Sequence, residues 1–367
     1  MSLREQHEGP VILKYQKIIK LMFKIKKRLI SVKEKPFIIA EMSGNHNGSL
    51  ATALKIVDLA AEAGADAIKL QTYTPETITM RASRKEFFIK DKKNLWKNNS
   101  LFDLYKKAHT PWAWHKKIFE RAQKKKLIYF SSPFDESAVD FLEGLNVPLY
   151  KIASFENNHF PLLKKVAETG KPIIMSTGLA TLKELKESVN YLRKNGCKNL
   201  ALLKCTSSYP ANPKDLNLKS IHKLKKVFDC EVGFSDHSLG IGAAISAISY
   251  GATIIEKHFT LNKLKGVDGK FSSELEELKM LKKESEVAWQ AKGNIFLGPT
   301  SSEKKYTKFR RSIYISKQIK KGEKFSKDNL KVIRPAYGLH PKYFDRVIGK
   351  ISKKNIHPGT PLKKDFF

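Results

Sequence analysis

The chain has 367 residues, 41% of them hydrophobic, and a formal net charge of +33 from 69 lysines and arginines against 36 acids. That length suits a barrel of ~250 residues plus a smaller module, and no apolar run reaches the ~18 residues that a membrane span needs. The basic balance invites a nucleic-acid or lipid-surface partner, yet the lysines are spread along the whole chain without a zinc-finger or RNA-binding signature. The charge therefore reads as solvated surface that also draws in anionic substrates, with no nucleic acid and no stable membrane insertion expected.

Residues 1–35 stand apart from the rest. ILKYQKIIKLMFKIKKRLI sets Ile18, Ile19, Met22 and Phe23 against Lys17, Lys20, Lys24 and Lys27, the pattern of a basic amphipathic helix in an N-terminal extension. Lysines interrupt its apolar stretch and no small-residue cleavage site follows, which argues against a secretory signal.

From residue 36 to 289, eight short apolar runs each end on a polar or reactive residue. They are FIIAE to Glu41, DAIKLQ to Gln71, LIYFSS to Ser132, PLYKI through Lys151, PIIMS to Ser176, LALLKCT to Thr206, VGFSDH to His237 and TIIEKH to His258. Helical stretches such as ATALKIVDLAAEAGA and AAISAISYGA lie between them. This alternation predicts an α/β fold, a parallel (β/α)8 TIM barrel. Its chemistry then belongs at the C-terminal rim, on residues donated by many strands. Residues 290–307, rich in Gly, Pro, Ser and Lys, read as a linker. Residues 308–367 read as a small β-rich module, with Gly322 and Gly359 in turns. Cys197, Cys205 and Cys230 lack metal-like spacing and are too few for a disulfide framework, which points to a reducing cytoplasm.

The strand ends carry the candidate site. Lys69 and Lys151 lie in otherwise apolar strands, where a lysine is costly unless it meets an anion. That anion is either a ligand or a protein acid such as Glu41 or Glu156. Ser132, Ser154, Ser176 and Ser235 add neutral donors at the same rim, and lysines with hydroxyls suit a phosphate. His237 and His258 close adjacent strands, so their imidazoles are expected side by side, able to hold a divalent metal such as Mn²⁺ or Zn²⁺. Asp236 and Glu256 beside them are candidate outer partners, and His46 a candidate third participant. His109, His115, His159 and His222 stay unassigned.

In this order and spacing EMSGNHNGS, GADAIKLQTYTPETIT, FSSPFD, YKIASFE, STGLAT, KCTSSYP, GFSDHS and EKHFT resemble the sialic acid synthase family, and the tail with RSIYISKQIKKGE and RPAYGLHP resembles its antifreeze-like (SAF) domain. The similarity runs from about residue 36 to the end. QTYTP, SSPF, KIASFE and RPAYGLHPKYF look most like the pseudaminic acid branch, and Phe155 stands where the sialic acid branch usually has glycine. The resemblance implies a transferase that condenses phosphoenolpyruvate with 2,4-diacetamido-2,4,6-trideoxy-L-altrose to give pseudaminic acid and phosphate. An N-acetylneuraminate or legionaminate synthase is the near alternative. A non-catalytic basic binding protein is the distant one, disfavoured by the polar strand ends.

The same resemblance implies that Lys151, Ser132, Ser154, Ser176 and Ser235 hold the phosphate and Lys69 the carboxylate of phosphoenolpyruvate. His237 and His258 would bind a metal, Mn²⁺ or similar, and Glu41 would position water or move a proton. Gln71, Glu156, Tyr209 and Asp268 would meet the sugar. Ser207 would do so too, although the family often has Asn there. Tyr73, Phe155 and Phe271 would supply apolar surface. Arg334 would reach a partner's barrel, which implies a domain-swapped homodimer.

Overall fold

The computed structural model describes residues 23–91, 94–97 and 99–367, which divide into two compact units between Gly293 and Asn294. In the first, the eight runs are eight parallel strands: β3 Phe37–Glu41, β4 Ala67–Thr72, β5 Ile128–Pro133, β6 Tyr150–Ile152, β7 Ile173–Ser176, β8 Leu200–Cys205, β9 Glu231–Asp236 and β10 Ile254–His258. Each pairs with the next, and β10 closes on β3, so the barrel is complete. Helices fill the connections, among them α1 Leu50–Glu62, α2 Leu101–Ala108, α3 Trp112–Lys124, α4 Glu136–Gly144, α5 Phe160–Glu168 and α6 Leu182–Lys194. They start where a polar cap satisfies the first free N–H groups: Ser49 accepts from Thr52, Asp135 from Ser137 and Ala138, and Thr181 forms a capping box with Glu184. The last helix, α7 Leu275–Lys292, runs to the unit boundary.

A strand turns successive side chains to opposite faces, and here the alternation sorts the core into two layers. Ile38, Ala40, Ile68, Leu70, Val232 and Phe234 pack outward with helix residues such as Ile56, Ile118 and Leu163. Phe37, Ile39, Ala67, Phe130, Ile174 and Ile254 form the barrel interior. Gly233 shares that interior because a Cβ there would meet the Ile254 carbonyl and the Leu203 side chain. Most strands are thus apolar inside at the N-terminal half and polar inside at the C-terminal end.

The segment read as part of a basic amphipathic helix is different from Phe23 onward. Strands β1 Phe23–Ile25 and β2 Arg28–Ile30 form an antiparallel hairpin, turning at Lys26 with φ 51°. Phe23, Ile25 and Ile30 are buried within the interior layer, while Lys24 faces out. Apolar residues at Phe23 and Ile25 around Lys24 satisfy a period of two as well as a helical pattern, and the open bottom of the barrel offers that stripe a place to bury. The Asn199 amide secures the hairpin through the Lys24 carbonyl at 2.8 Å. Lys17, Ile18, Ile19, Lys20 and Met22 lie outside the described residues.

The second unit pairs β11 Ser312–Ile315 with β12 Leu330–Ile333, antiparallel, over its own core of Ile313, Ile315, Phe325, Leu330, Leu362 and Phe366. Arg334, just beyond β12, is exposed on this unit.

Candidate active site

Inward positions at the C-terminal strand ends converge on one cavity of about 820 Å³. Register brings their bearers together: Glu41 pairs with Lys69 and with His258, Gln71 with Ser132, and Cys205 with Ser235, which in turn pairs with Glu256.

At its floor, Lys69 Nζ lies 3.0 Å from Glu41 Oε2, 3.4 Å from Glu256 Oε2 and 3.3 Å from the Ser132 hydroxyl. Gln71 donates to the other Glu41 oxygen at 3.1 Å. Lys151 Nζ donates to Ser176 Oγ at 2.6 Å and to the Ile152 carbonyl at 3.1 Å, with Glu256 3.9 Å away. Ser235 donates to Glu256 at 3.0 Å. Both lysines are buried, 3% and 1% exposed, so each is costly without negative charge nearby. Their protein acids are Glu41 and Glu256, whereas Glu156 is not within ion-pair reach of either.

The two ammonium groups differ. Burial lowers the proton affinity of Lys69, but Glu256 and Glu41 outweigh it and hold the group above its usual range. For Lys151 burial wins, reinforced by Lys69, and its pKa falls to about 8. Burial would raise Glu256, yet Lys151 and Lys69 bring it down to about 2, so it stays ionised. Burial pushes the Glu156 carboxyl up to about 7, and its Oε2 has no hydrogen-bond partner.

The imidazoles of His237 and His258 do sit side by side, ring centroids 5.4 Å apart. His237 Nδ1 lies 3.0 Å from the Thr206 carbonyl, which leaves Nε2 as the lone-pair nitrogen of a neutral ring. His258 Nδ1 is buried without a hydrogen bond, 3.4 Å from the Asp268 carboxylate. Among the described residues no group of three or more His, Cys, Asp and Glu side chains is arranged to hold a metal. His46 is no third participant. It is fully buried, bonds Thr110 and Gly48 and packs edge-on against Trp114. Burial drops its pKa to about 4. Nor is Asp236 an imidazole partner, since it points outward and pairs with Lys257. Phe271 packs behind the histidines and Tyr209 and is buried rather than offered to a ligand.

Other expected residues line the same wall: Ser154, Glu156, Ser207, Tyr209, Tyr73 and Phe155. Gly178 lets two of them close in, for a Cβ at this position would fall on the Ser207 and Ser154 hydroxyls. Arg334 belongs to the other unit. Three contributors differ from the sequence reading: Glu256, expected only as an outer partner of the histidines, and two that were not expected at all. Glu256 is a direct member of the lysine cradle. Cys205 lines the cavity 3.8 Å from His237 Nδ1; burial raises its thiol pKa, but His237 more than reverses this. The third is the connection from β4 to α3, which brings Ile78, Ile89, Leu95, Trp96, Leu104 and Tyr105 to the outer wall. Trp96 is held there by the Val267 carbonyl at 3.0 Å and by the Tyr209 ring.

A closed parallel barrel with buried lysines, hydroxyls and paired imidazoles at its mouth has the build of an enzyme. The chain belongs to the NeuB family, which matches residues 56–296, and a SAF domain matches residues 310–367. It is 45% identical to a pseudaminic acid synthase of Campylobacter jejuni over 335 residues, 91% of this chain and 97% of that protein. An N,N'-diacetyllegionaminic acid synthase of the same organism is 40% identical over 327 residues, 88% of this chain and 97% of its own length. Among solved structures, N-acetylneuraminic acid synthetase of Leptospira borgpetersenii in complex with citrate superposes with a TM-score of 0.69 at 34% identity, covering 78% of this chain and 96% of that one.

Proposed function

We propose that this chain is a pseudaminic acid synthase, joining phosphoenolpyruvate to 2,4-diacetamido-2,4,6-trideoxy-L-altrose and releasing phosphate. The observation that carries the reading is the division of the cavity. One part holds Lys69, Lys151, Ser154, Ser176 and Ser235, suited to a phosphorylated acid; the segment from Ile78 to Leu104 lines another with Ile78, Ile89, Leu95, Trp96 and Leu104, suited to a methyl group and acetamido methyls, alongside the polar Asp91 and Asn94. A hydroxyl in place of the methyl forfeits that apolar contact, a discrimination of at most ~10²-fold. The higher identity to the pseudaminic acid synthase than to the legionaminic acid synthase of one organism supports the same branch.

In this reading Lys151 and the serines Ser132, Ser154, Ser176 and Ser235 bind the phosphate, and Lys69 the carboxylate. Carbon three of phosphoenolpyruvate attacks the sugar aldehyde, water adds at carbon two, and the tetrahedral product of that addition expels phosphate. Glu41, held by Lys69 and Gln71, is placed to orient that water or take its proton. Gln71, Glu156, Ser207, Tyr209 and Asp268 meet the sugar. The unbonded Nδ1 of His258 beside Asp268, and the neighbouring ring of His237, fit a divalent cation such as Mn²⁺. Such an ion supplies Lewis acidity toward the aldehyde oxygen.

The test is mass spectrometry of products from phosphoenolpyruvate, Mn²⁺ and a panel of amino sugars. The trideoxy sugar is expected to give pseudaminic acid with a higher kcat/KM than N-acetylmannosamine. Equal or better use of N-acetylmannosamine overturns the branch. Arg334 is assigned to the site of a partner subunit in a domain-swapped homodimer, where a planar guanidinium suits sugar hydroxyl or acyl oxygens. Mixing inactive Lys151→Ala and Arg334→Ala chains should then restore activity, because a mixed dimer keeps one intact site. No recovery despite proven subunit exchange counts against delivery in trans. A reducing cytoplasm is the compartment this reading calls for, supported by three cysteines that are all free thiols.

A further inference from the structure

The alternation that turns His237 and His258 into the mouth turns their neighbours Asp236 and Lys257 the other way. These two are register partners on adjacent strands. Lys257 Nζ lies 2.8 Å from Asp236 Oδ2, with side chains 1% and 0% exposed. Lys257 also donates to the Ser238 carbonyl, and Asp236 Oδ1 accepts from the Ser238 N–H at 2.8 Å and its hydroxyl at 2.6 Å. The three groups close a ring that brackets His237 in the sequence, and Lys257 directly precedes His258.

Neither charge lines the cavity, so neither meets substrate. A buried ion pair is a weak source of stability, since an apolar pair of similar size often serves as well or better; fixing a geometry is a use it can serve. Geometry is at issue here. β9 ends at Asp236, so His237 lies beyond the ladder. Its peptide is held by the Ala211 N–H on its carbonyl and by the Asp236–Lys257–Ser238 ring on either side.

We propose that Asp236 and Lys257 are positioning residues that set the spacing of the His237 and His258 imidazoles for a divalent cation. This rests on the reading of those histidines as metal ligands. The test measures Mn²⁺ affinity by calorimetry, the visible spectrum of the Co²⁺-loaded protein, and melting of the metal-free protein. The variants are Lys257→Met, the near-isosteric Asp236→Asn, and the apolar pair Lys257→Met with Asp236→Leu; His258→Ala is the control. Each single variant should weaken Mn²⁺ binding ~10-fold or more and shift the Co²⁺ spectrum. The apolar pair should recover melting temperature without recovering affinity. Wild-type Mn²⁺ affinity and Co²⁺ spectrum in either Asp236→Asn or the apolar pair overturn the proposal. If His258→Ala itself keeps full affinity, the metal reading fails, and the positioning role with it.

Discussion

The two ends of this barrel are built from the same eight strands and obey opposite rules. At the N-terminal end, inward positions are Phe37, Ile39, Ala67, Phe130, Ile174 and Ile254, capped by Phe23, Ile25 and Ile30 of the hairpin. One or two steps along the same faces come Glu41, Lys69, Ser132, Lys151, Ser176 and Glu256, all nearly as buried. Burial is therefore not what separates them. At the bottom, removing apolar surface from water stabilises the fold. At the top, burial of charge costs stability, and the chain retains it in a cluster whose cations and anions hold one another ready for a ligand. The lesson is a division of labour along each strand: bottom residues should matter for folding and top residues for chemistry.

Three measurements can break or sharpen that division. The largest effect is expected from Lys151→Ala, which should lower phosphate release by ~10³-fold, on the scale of removing a preorganised donor to an anion. Circular dichroism should remain that of a folded barrel; an unfolded variant would show that the top also carries the fold. Next is Phe23→Ala, expected to cost about 3–5 kcal/mol of stability, read in denaturant melts, with turnover per folded molecule unchanged. A loss of turnover without a loss of stability would put chemistry at the bottom. The smallest effect is the pH profile. Lys151 has a pKa of about 8, and the protonated form attracts an anion. So kcat/KM for phosphoenolpyruvate should fall ~10-fold per unit above that value. A profile flat to pH 10 would mean that Lys151 keeps its proton or does not bind the substrate.

The strand ends were legible because a period of two leaves few choices. FIIAE places Glu41 on the face of Ile39, and AIKLQT places Lys69 and Gln71 on one face. The same arithmetic, applied fully, separates Glu256 from Lys257 and aims Cys205 with Leu203, although the sequence reading took Glu256 and Asp236 alike as outer partners. Helix and hairpin could not be told apart around FKIKKRLI, where the run is too short for its period to decide and only the barrel's open bottom does. Trp96 and its neighbours were beyond reach for another reason: a long connection has no periodicity, so nothing local says that it folds over the mouth. Arg334 stands between these cases, suggested by a resemblance of motifs while its own unit shows it simply exposed.

The hairpin has a consequence for traffic. Packed side chains fill the barrel beneath the mouth and the hairpin closes its far end, so ligands reach Lys69 and Lys151, at the cavity floor, from the mouth. A small acid bound against them must enter before a bulky sugar covers it. Among the products, whatever stays deepest must wait for what lies above it to leave. The kinetics should accordingly be sequential and ordered, with the deep ligand first, an order imposed by the packed barrel interior and the hairpin that closes it.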